Sequence, residues 1–345
     1  MADMLPDGRR LGAHLPLGAG MVRAVDRARE IGAAAIQIFG DNPTAWRRRV
    51  DPPREQAAFR DRLRAHDIAP VAIHAAYLIN LAGPNEDFFE RSVSILTHDL
   101  RAAPGFGARY VNVHTGSHLG AGVAVGTARI ADGVARVLGE TDDGPNAAML
   151  VLENSAGGGF GIGTTVEQLA DIAEAIAARG VADHRLGFCL DTAHAWGAGY
   201  RLSDPDATDR LLTDFESRIG LPRLRMIHLN DSRTELGSNQ DRHQHVGAGM
   251  IGERGMAHLL RHPLLRDATY YLETPGMDEG YDAINVARAY ALAAGRRLEP
   301  LPPGALNLRG SRARSAPAAD DEPVGRDELV GRDALDEAVA ERASA

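Results

Sequence analysis

The stretch LGFCLDTAHAW, residues 186–196, contains the pattern that decides the fold. A short apolar run ends at an acidic residue, Asp191, and a tight turn toward the next helix places His194 three residues later. Runs that are apolar throughout are typical of parallel strands buried on both faces. Between residues 11 and 296 this alternation of strand, loop and helix occurs eight times. The predicted strands are residues 11–14, 35–39, 71–74, 110–114, 149–153, 186–191, 225–229 and 270–273.

Helical patterns fill the spaces between these strands. Apolar residues recur three and four positions apart in, for example, residues 21–31, 88–102, 166–178 and 283–292. Eight units in this span average roughly 36 residues each, the size expected of a closed barrel. The sequence therefore predicts an α/β fold, a single (β/α)8 TIM barrel over residues 10–296. An open doubly wound sheet is the alternative, but the glycine-rich run 157–163 lacks the GxGxxG spacing of a dinucleotide site.

The composition excludes several kinds of chemistry. The chain has 345 residues without one lysine, so all 38 basic residues are arginine, and Schiff-base and P-loop mechanisms are ruled out. The single cysteine, Cys189, excludes disulfides within the chain and thiolate-rich metal sites. A net charge of −9 argues only weakly against a nucleic-acid partner, because bound metal ions invert the local sign.

Two further expectations concern location and the C-terminal tail. No apolar stretch approaches the roughly 18 residues of a membrane span, and the N-terminus has no apolar signal region, which predicts a cytoplasmic protein without membrane contact. Residues 297–345 form a tail that is rich in Pro, Ala and Arg, is acidic overall and contains no aromatic residue. We expect this tail to be disordered.

Histidines and acidic residues end six successive predicted strands. In a barrel the C-terminal ends of the strands converge on one mouth, where active sites are found. A single histidine in this position is usually structural, but six metal-capable side chains in succession indicate one shared site. The six are His74, His114, Glu153, Asp191, His228 and Glu273.

Three more residues extend this cluster. His194 follows Asp191 closely, and Asp241 and His243 lie in the long loop after the seventh strand, where a solvated polar loop is the alternative explanation. Nine imidazole and carboxylate groups exceed the needs of two zinc ions and suit three if carboxylates bridge. Such clusters serve in-line displacement at phosphorus, so the pattern favours phosphodiester hydrolysis. Most remaining histidines, including His258 and His262, are predicted to be surface residues.

The motifs around these groups resemble the endonuclease IV family, zinc-dependent apurinic/apyrimidinic endonucleases within the xylose-isomerase-like TIM barrels. The likeness covers residues 10–296 and fills all nine ligand positions of the family in order. The matching motifs are HAAYLINL (74–81), VHTGSHL (113–119), LENSAG (152–157), CLDTAHA (189–195), HLNDS (228–232), GSNQDRH (237–243), GAGMIG (247–252) and LETP (272–275).

This resemblance implies three Zn²⁺ ions per chain, with Mn²⁺ or Fe²⁺ as an alternative at one position. It implies that Glu153 and Glu273 act catalytically through a bridging or metal-bound water. It also implies a monomer that cleaves duplex DNA 5′ to an abasic site, leaving a 3′-hydroxyl and a 5′-deoxyribose phosphate. The implied ligand groups are His74, His114 and Glu153; Glu153, Asp191, His228 and Glu273; and His194, Asp241 and His243.

The sequence departs from the family in the loops expected to contact DNA. Thr44 stands where the family usually has an arginine that inserts into the duplex, and Arg47 with its two neighbouring arginines is a candidate substitute. Tyr77 matches the family residue that wedges into the gap at the lesion. His118 and Arg242 are further candidate DNA contacts, with a supporting role near the metal site or a solvated loop as the respective alternatives.

Two other functions fit parts of the pattern. A metal-dependent sugar or sugar-phosphate isomerase or epimerase of the same superfamily needs only one or two metals, so the third ligand group counts against it. A non-catalytic DNA-binding protein does not need an open multi-metal site.

Overall fold

The computed structural model describes residues 4–277 and 279–306, and in them eight parallel strands close into a barrel surrounded by helices. The TIM barrel predicted from the sequence is confirmed. The barrel strands are β1 (Leu11–His14), β2 (Ala35–Phe39), β3 (Val71–His74), β4 (Ala108–His114), β5 (Met149–Glu153), β6 (Leu186–Asp191), β7 (Leu224–His228) and β10 (Thr269–Leu272). Going around the barrel, the strand order is β1-β10-β7-β6-β5-β4-β3-β2, and β2 pairs with β1 to close it.

Helices connect the strands along the outside of the barrel. Most of them bury one apolar stripe against the sheet, as the three-and-four spacing predicts. They are α1 (Met21–Glu30), α2 (Gln56–His66), α3 (Glu86–Phe106), α4 (Val123–Gly139), α5 (Val166–Ala177), α6 (Thr192–Gly197), α7 (Pro205–Arg218), α8 (Gly252–Arg261) and α9 (Tyr281–Ala293). None of the described helices is long and apolar enough to cross a membrane.

Apolar side chains fill the barrel on both faces of its sheet. A large cluster lies between strands and helices, and a smaller cluster fills the barrel interior around Tyr110, Met149, Met226 and Tyr271. Burial on both faces explains why the strands read as continuous apolar runs rather than as alternating ones.

The register of the strands brings their C-terminal residues to one level. His114 pairs with Glu153 between β4 and β5, and Asp191 pairs with His228 between β6 and β7. Backbone hydrogen bonding therefore fixes the relative height of the residues that end these strands. We call this C-terminal end, together with the loops that follow it, the mouth of the barrel.

The structure corrects several predicted boundaries. β4 starts at Ala108, two residues early, because Ala108 pairs with Val71 across a register shift. β7 begins and ends one residue earlier than predicted, at Leu224 and His228. β10 also ends one residue earlier, at Leu272, so Glu273 follows the strand. α3 begins at Glu86 and ends at Phe106, beyond the predicted end at residue 102, and it includes Pro104 in its last turn.

An antiparallel pair of very short strands was not predicted. β8 (Asp231–Ser232) pairs with β9 (His243–Gln244) in the long loop after β7. This pairing folds the loop back over the mouth. The predicted domain boundary at residue 296 stays a prediction, and residues 307–345 of the predicted disordered tail lie outside the described residues.

We expect the side chains that fill the barrel interior to contribute strongly to the free energy of unfolding. Tyr271 is fully buried and its hydroxyl donates to the carbonyl of Pro70 at 3.2 Å. Tyr271→Ala leaves a large cavity and should lower the free energy of unfolding by about 3–5 kcal/mol, measured by urea denaturation. Val50→Ala is the control, because Val50 is 91% exposed and its truncation should change stability by less than about 0.5 kcal/mol. Equal effects of the two variants would contradict this account of the core.

Candidate metal centre

The structure brings all nine sequence-predicted metal-site residues to the mouth of the barrel. Six of them end or directly follow successive strands from β3 to β10, and His194 lies in α6. Asp241 and His243 come from the loop that contains β9. Three groups of candidate ligands can be distinguished by the distances between their nitrogen and oxygen atoms.

The first group surrounds one oxygen of Glu153. Its Oε2 atom lies 3.7 Å from Nε2 of His74 and 3.5 Å from Nε2 of His114. The two imidazole rings meet edge to face, with 5.1 Å between their centroids. Two nitrogens and a carboxylate oxygen thus face one small space.

The second group surrounds Nδ1 of His228, which is wholly buried. This atom lies 3.0 Å from Oε1 of Glu153, 3.3 Å from Oε2 of Glu273 and 3.9 Å from Oδ2 of Asp191. Glu153 therefore belongs to both groups, one oxygen in each. A carboxylate in this position is suited to bridge two metal ions.

The third group lies toward the loop after β7. Asp241 has its two oxygens 3.2 Å from Nε2 of His194 and 2.9 Å from Nε2 of His243. Asp191 also reaches this group, because its Oδ2 atom lies 3.6 Å from Nε2 of His243. The side chain of Asp241 is 50% exposed, so this group is the most open to solvent.

The spacing Asp-x-x-His has a local structural cause. Asp191 is the N-cap of α6, and its Oδ1 atom accepts a hydrogen bond from the backbone N–H of His194 at 2.8 Å. An N-cap carboxylate uses one oxygen to accept from an N–H of the first turn, which leaves its second oxygen available. Here that second oxygen points into the metal centre.

Hydrogen bonds to backbone carbonyls orient three of the histidines. In each of these rings Nδ1 faces a carbonyl oxygen and must donate, so in the neutral ring Nε2 carries the lone pair. Metal-binding histidines are usually oriented in this way. The pairs are His74 with the carbonyl of Ala75 at 2.8 Å, His194 with that of Asn154 at 2.9 Å and His243 with that of Glu273 at 2.8 Å.

In the neutral rings these lone pairs face carboxylate oxygens. This arrangement shows whether the residues suit a metal ion. Two acceptors pointing at each other across 2.9–3.7 Å repel unless a proton or a cation lies between them. His228 shows the same arrangement with the other nitrogen, because its Nε2 faces Oε1 of Gln37 at 2.9 Å and its Nδ1 faces the carboxylates. The residues present therefore fit divalent cations bound by imidazole and carboxylate.

The titration behaviour of these groups agrees with that interpretation. Burial lowers the pKa of His74 to about 3, so its ring is neutral and its lone pair available at pH 7. Burial also acts to lower the pKa of His243, but Asp241 and Asp191 outweigh it and the pKa rises to about 9. A proton on His243 thus takes the place that a cation would otherwise fill between these carboxylates.

Sequence reasoning missed the amide side chains that hold the carboxylates in position. The Nε2 atom of Gln37 donates to Oε1 of Glu273 at 2.7 Å, and Nδ2 of Asn230 donates to Oδ2 of Asp191 at 2.6 Å. Asn112 donates to Glu153 in the same way. A signal for Gln37 was present, since it is the one polar residue in the otherwise apolar strand AIQIF and is fully buried.

The predicted DNA contacts lie around the same mouth. The ring of Tyr77 packs 5.6 Å from that of His74, and Nδ1 of His118 accepts from the backbone N–H of Gly122 at 3.0 Å. Arg242 lies between the metal-site residues Asp241 and His243, and one of its Nη atoms donates to the carbonyl of Asp241 at 3.2 Å.

The loop after β2 presents the remaining candidates. Arg47 is exposed, and together with Arg48, Arg49 and Arg54 it lines one concave surface. Thr44 is also exposed, and its hydroxyl donates to Oδ1 of Asn42 at 2.9 Å. We call residues 41–54 the arginine loop.

One prediction about a histidine outside the mouth is wrong. His262 was expected at the surface, but it is only 7% exposed, and with His258 it contacts one oxygen of Asp209. Its Nδ1 accepts from the backbone N–H of Leu264, so Nε2 carries the proton and donates to Asp209. This trio is held by hydrogen bonds between α7 and α8 and is separate from the metal centre.

Comparison with known proteins agrees with this geometry. Residues 25–295 match the family described as xylose isomerase-like TIM barrel. The chain is 41% identical over 283 residues to "Probable endonuclease 4" of Halothermothrix orenii, which covers 81% of this chain and 99% of that protein. It is 39% identical to the protein of the same name from Methanoculleus marisnigri, covering 82% of this chain and 98% of that one.

Solved structures show the same relationship. The crystal structure of endonuclease IV from Thermus thermophilus superposes with a TM-score of 0.71 at 36% identity and covers 83% of this chain and 99% of that one. A D-tagatose 3-epimerase-like protein has a TM-score of 0.59 at 16% identity, a likeness that shows the barrel fold alone. Because the identity to these endonucleases extends across nearly their whole length, the chain belongs to the endonuclease IV family of xylose isomerase-like TIM barrels.

Proposed function

We propose that this protein is a zinc-dependent apurinic/apyrimidinic endonuclease that hydrolyses the phosphodiester 5′ to an abasic site in duplex DNA. The products are a 3′-hydroxyl and a 5′-deoxyribose phosphate, as in base excision repair. One observation carries the proposal. Nine imidazole and carboxylate groups meet at one mouth, and a ring nitrogen of each of four histidines, His74, His194, His228 and His243, faces the carboxylates.

Three Zn²⁺ ions match the three groups of candidate ligands, with Mn²⁺ or Fe²⁺ as an alternative in the group richest in oxygen. Bound zinc lowers the pKa of water and neutralises charge on the phosphodiester oxygens, which is the chemistry that the ions supply. The proposed ligands are His74, His114 and Glu153 for the first ion; Glu153, Asp191, His228 and Glu273 for the second; and His194, Asp241 and His243, with Asp191 nearby, for the third.

The two proposed catalytic carboxylates differ in their access to solvent. Glu153 is wholly buried, and its oxygens contact His228 and Asn112. Its carboxylate is therefore held where it would provide one oxygen to each of two metal ions. Glu273 is 16% exposed at the edge of the mouth. We assign to Glu273 the orientation of the attacking water and the acceptance of its proton, because its carboxylate borders both solvent and the cluster.

The chain's own residues also restrict how the strand can be broken. Without lysine, cleavage through a Schiff base on a lysine side chain is unavailable. An abasic nucleotide has no base to unpair or unstack, so turning it into the mouth costs little. Tyr77 stands next to His74 and is suited to fill the gap, while Arg47, Arg242 and His118 are proposed to contact the DNA backbone.

We further propose that the protein acts as a monomer in the cytoplasm. All nine metal-site residues come from one chain, so no partner subunit is needed to complete the centre. The arginine loop supplies local positive charge despite the net charge of −9.

The first test is cleavage of a duplex that carries one tetrahydrofuran abasic analogue. This analogue cannot undergo β-elimination, so a cut on its 5′ side whose new end a polymerase extends identifies hydrolysis. We expect cleavage by the zinc-loaded protein, loss after chelation and recovery with added Zn²⁺. Absence of cleavage by protein that holds three metals would overturn the proposal and favour sugar phosphates as substrates.

Removing the third ligand group should separate a nuclease from an isomerase. The double variant Asp241→Asn with His243→Ala should reduce the bound metal from three ions to two and slow cleavage by at least about 1000-fold. Metal content by mass spectrometry and gel-based cleavage rates measure both effects. The matched control, Asp209→Asn with His258→Ala, changes an Asp–His pair outside the mouth and should retain metal and activity. Full activity of the first variant would refute a role for this group.

Gln37 is proposed as a positioning residue for Glu273 and His228. Gln37→Ala should weaken metal affinity by about 10–100-fold, because the contacts of its amide with Glu273, His228 and His14 are all lost. Titration with a competing chelator measures the affinity, and Gln56→Ala in α2 is the control. If Gln37→Ala binds metal as tightly as the native protein, the amide contributes only packing.

A further inference from the structure

The loop that follows β5, residues 154–163, presents an aromatic side chain to solvent at the mouth. Phe160 is 62% exposed, the most exposed of the 17 aromatic residues in the chain. A single exposed apolar residue is common on protein surfaces and needs no explanation by itself. Phe160 differs because of its backbone conformation and its surroundings.

The backbone of Phe160 lies in the left-handed region, with φ of 63°. Bulky L-residues rarely adopt this conformation because the side chain crowds the backbone. Gly159 lies in the same left-handed region without strain, with φ of 56°, whereas Gly161 on the other side has φ of −55°. Phe160 continues the left-handed turn that Gly159 begins, and burial of its ring does not compensate for the cost.

One side of the loop is fastened to the loop after β4. Ser117 and Gly161 form an antiparallel bridge, and the backbone N–H of His118 donates to the carbonyl of Phe160 at 3.2 Å. The N–H of Ile162 donates to the carbonyl of Gly116 at 3.0 Å. The ring of Phe160 lies 5.5 Å from that of His118, which limits its movement.

The other side of the loop packs against the segment that carries Asp241. A Cβ atom added at Gly158 would lie 2.9 Å from the carbonyl oxygen of Asn239, and one at Gly157 would lie 2.7 Å from Oδ1 of Asn239. The loop therefore lies between two segments of the metal centre, the one that follows His114 and the one that precedes Asp241. Its exposed ring is held at the edge of the proposed DNA site.

We infer that Phe160 stacks on the face of a DNA base that the abasic site leaves exposed. This inference rests on the proposed function. Loss of a base uncovers the apolar faces of its neighbours, and an exposed aromatic ring at a fixed position is the group that such a face binds. The strained backbone points the ring toward the substrate instead of into the core.

The test compares three variants at position 160 by steady-state cleavage of the tetrahydrofuran duplex. Phe160→Ala and Phe160→Asn both remove the ring, and asparagine tolerates the left-handed conformation. We expect KM to rise by roughly 5- to 100-fold in both, with kcat and metal content unchanged. Phe160→Trp should keep KM near the native value, because it restores a stacking surface.

A direct readout of stacking is the emission of 2-aminopurine placed next to the abasic analogue. Native protein should quench this emission on binding, and Phe160→Ala should not. The Tm of Phe160→Asn should equal or exceed that of the native protein. If the ring of Phe160 had a structural role, its loss would lower the Tm. Leu264→Ala is the control, because Leu264 is 46% exposed and lies between α8 and β10, at the opposite end of the barrel.

The outcomes distinguish this inference from the function on which it rests. If the native protein does not cleave the duplex, the proposed function fails and Phe160 has no DNA to contact. If the native protein cleaves while the alanine and asparagine variants keep the native KM and the quenching, the inference alone is overturned. A fall in Tm or metal content in the asparagine variant would likewise overturn it, by assigning Phe160 to the fold.

Discussion

The short distances between histidine ring nitrogens and carboxylate oxygens are the constraint on which the rest of this mouth depends. Four carboxylates meet there, and Glu153 and Asp191 are completely withdrawn from water. Buried carboxylates are costly unless positive charge lies between them. Protons on the histidines satisfy this need in part, as the raised pKa of His243 shows. Divalent cations satisfy it more fully, and they bring the chemistry of phosphodiester cleavage.

The surrounding structure holds these side chains in position although the carboxylates repel one another. Backbone carbonyls fix three imidazole rings, and the amides of Gln37 and Asn230 fix the carboxylates of Glu273 and Asp191. Each of these contacts has at least one partner in a barrel strand or directly after one. Precision of this kind is what a multi-metal site needs, since ligands must stay within a fraction of an ångström of their places.

The rim of the mouth is built differently from its floor. The floor consists of strand ends, whereas the rim consists of loops with arginines, exposed Thr44 and the strained Phe160. A barrel permits such loops to vary without disturbing the strands beneath them. The residues of the metal centre and those proposed to contact DNA are therefore separable in this protein.

The sequence alone determined the barrel, its eight strands and six of the nine residues at its mouth, because short apolar runs ending in His, Asp or Glu are a local signal. It also determined that Asp191 precedes His194 by one helical turn, since capping is local. Only the tertiary structure decided which oxygen of Glu153 faces which histidine, that Asp191 also reaches His243, and that Gln37 supports the site. It alone revealed the β8–β9 pair, the burial of His262 and the exposure of Phe160. These features depend on contacts between residues far apart in the chain, and no periodicity or spacing within one segment encodes such contacts.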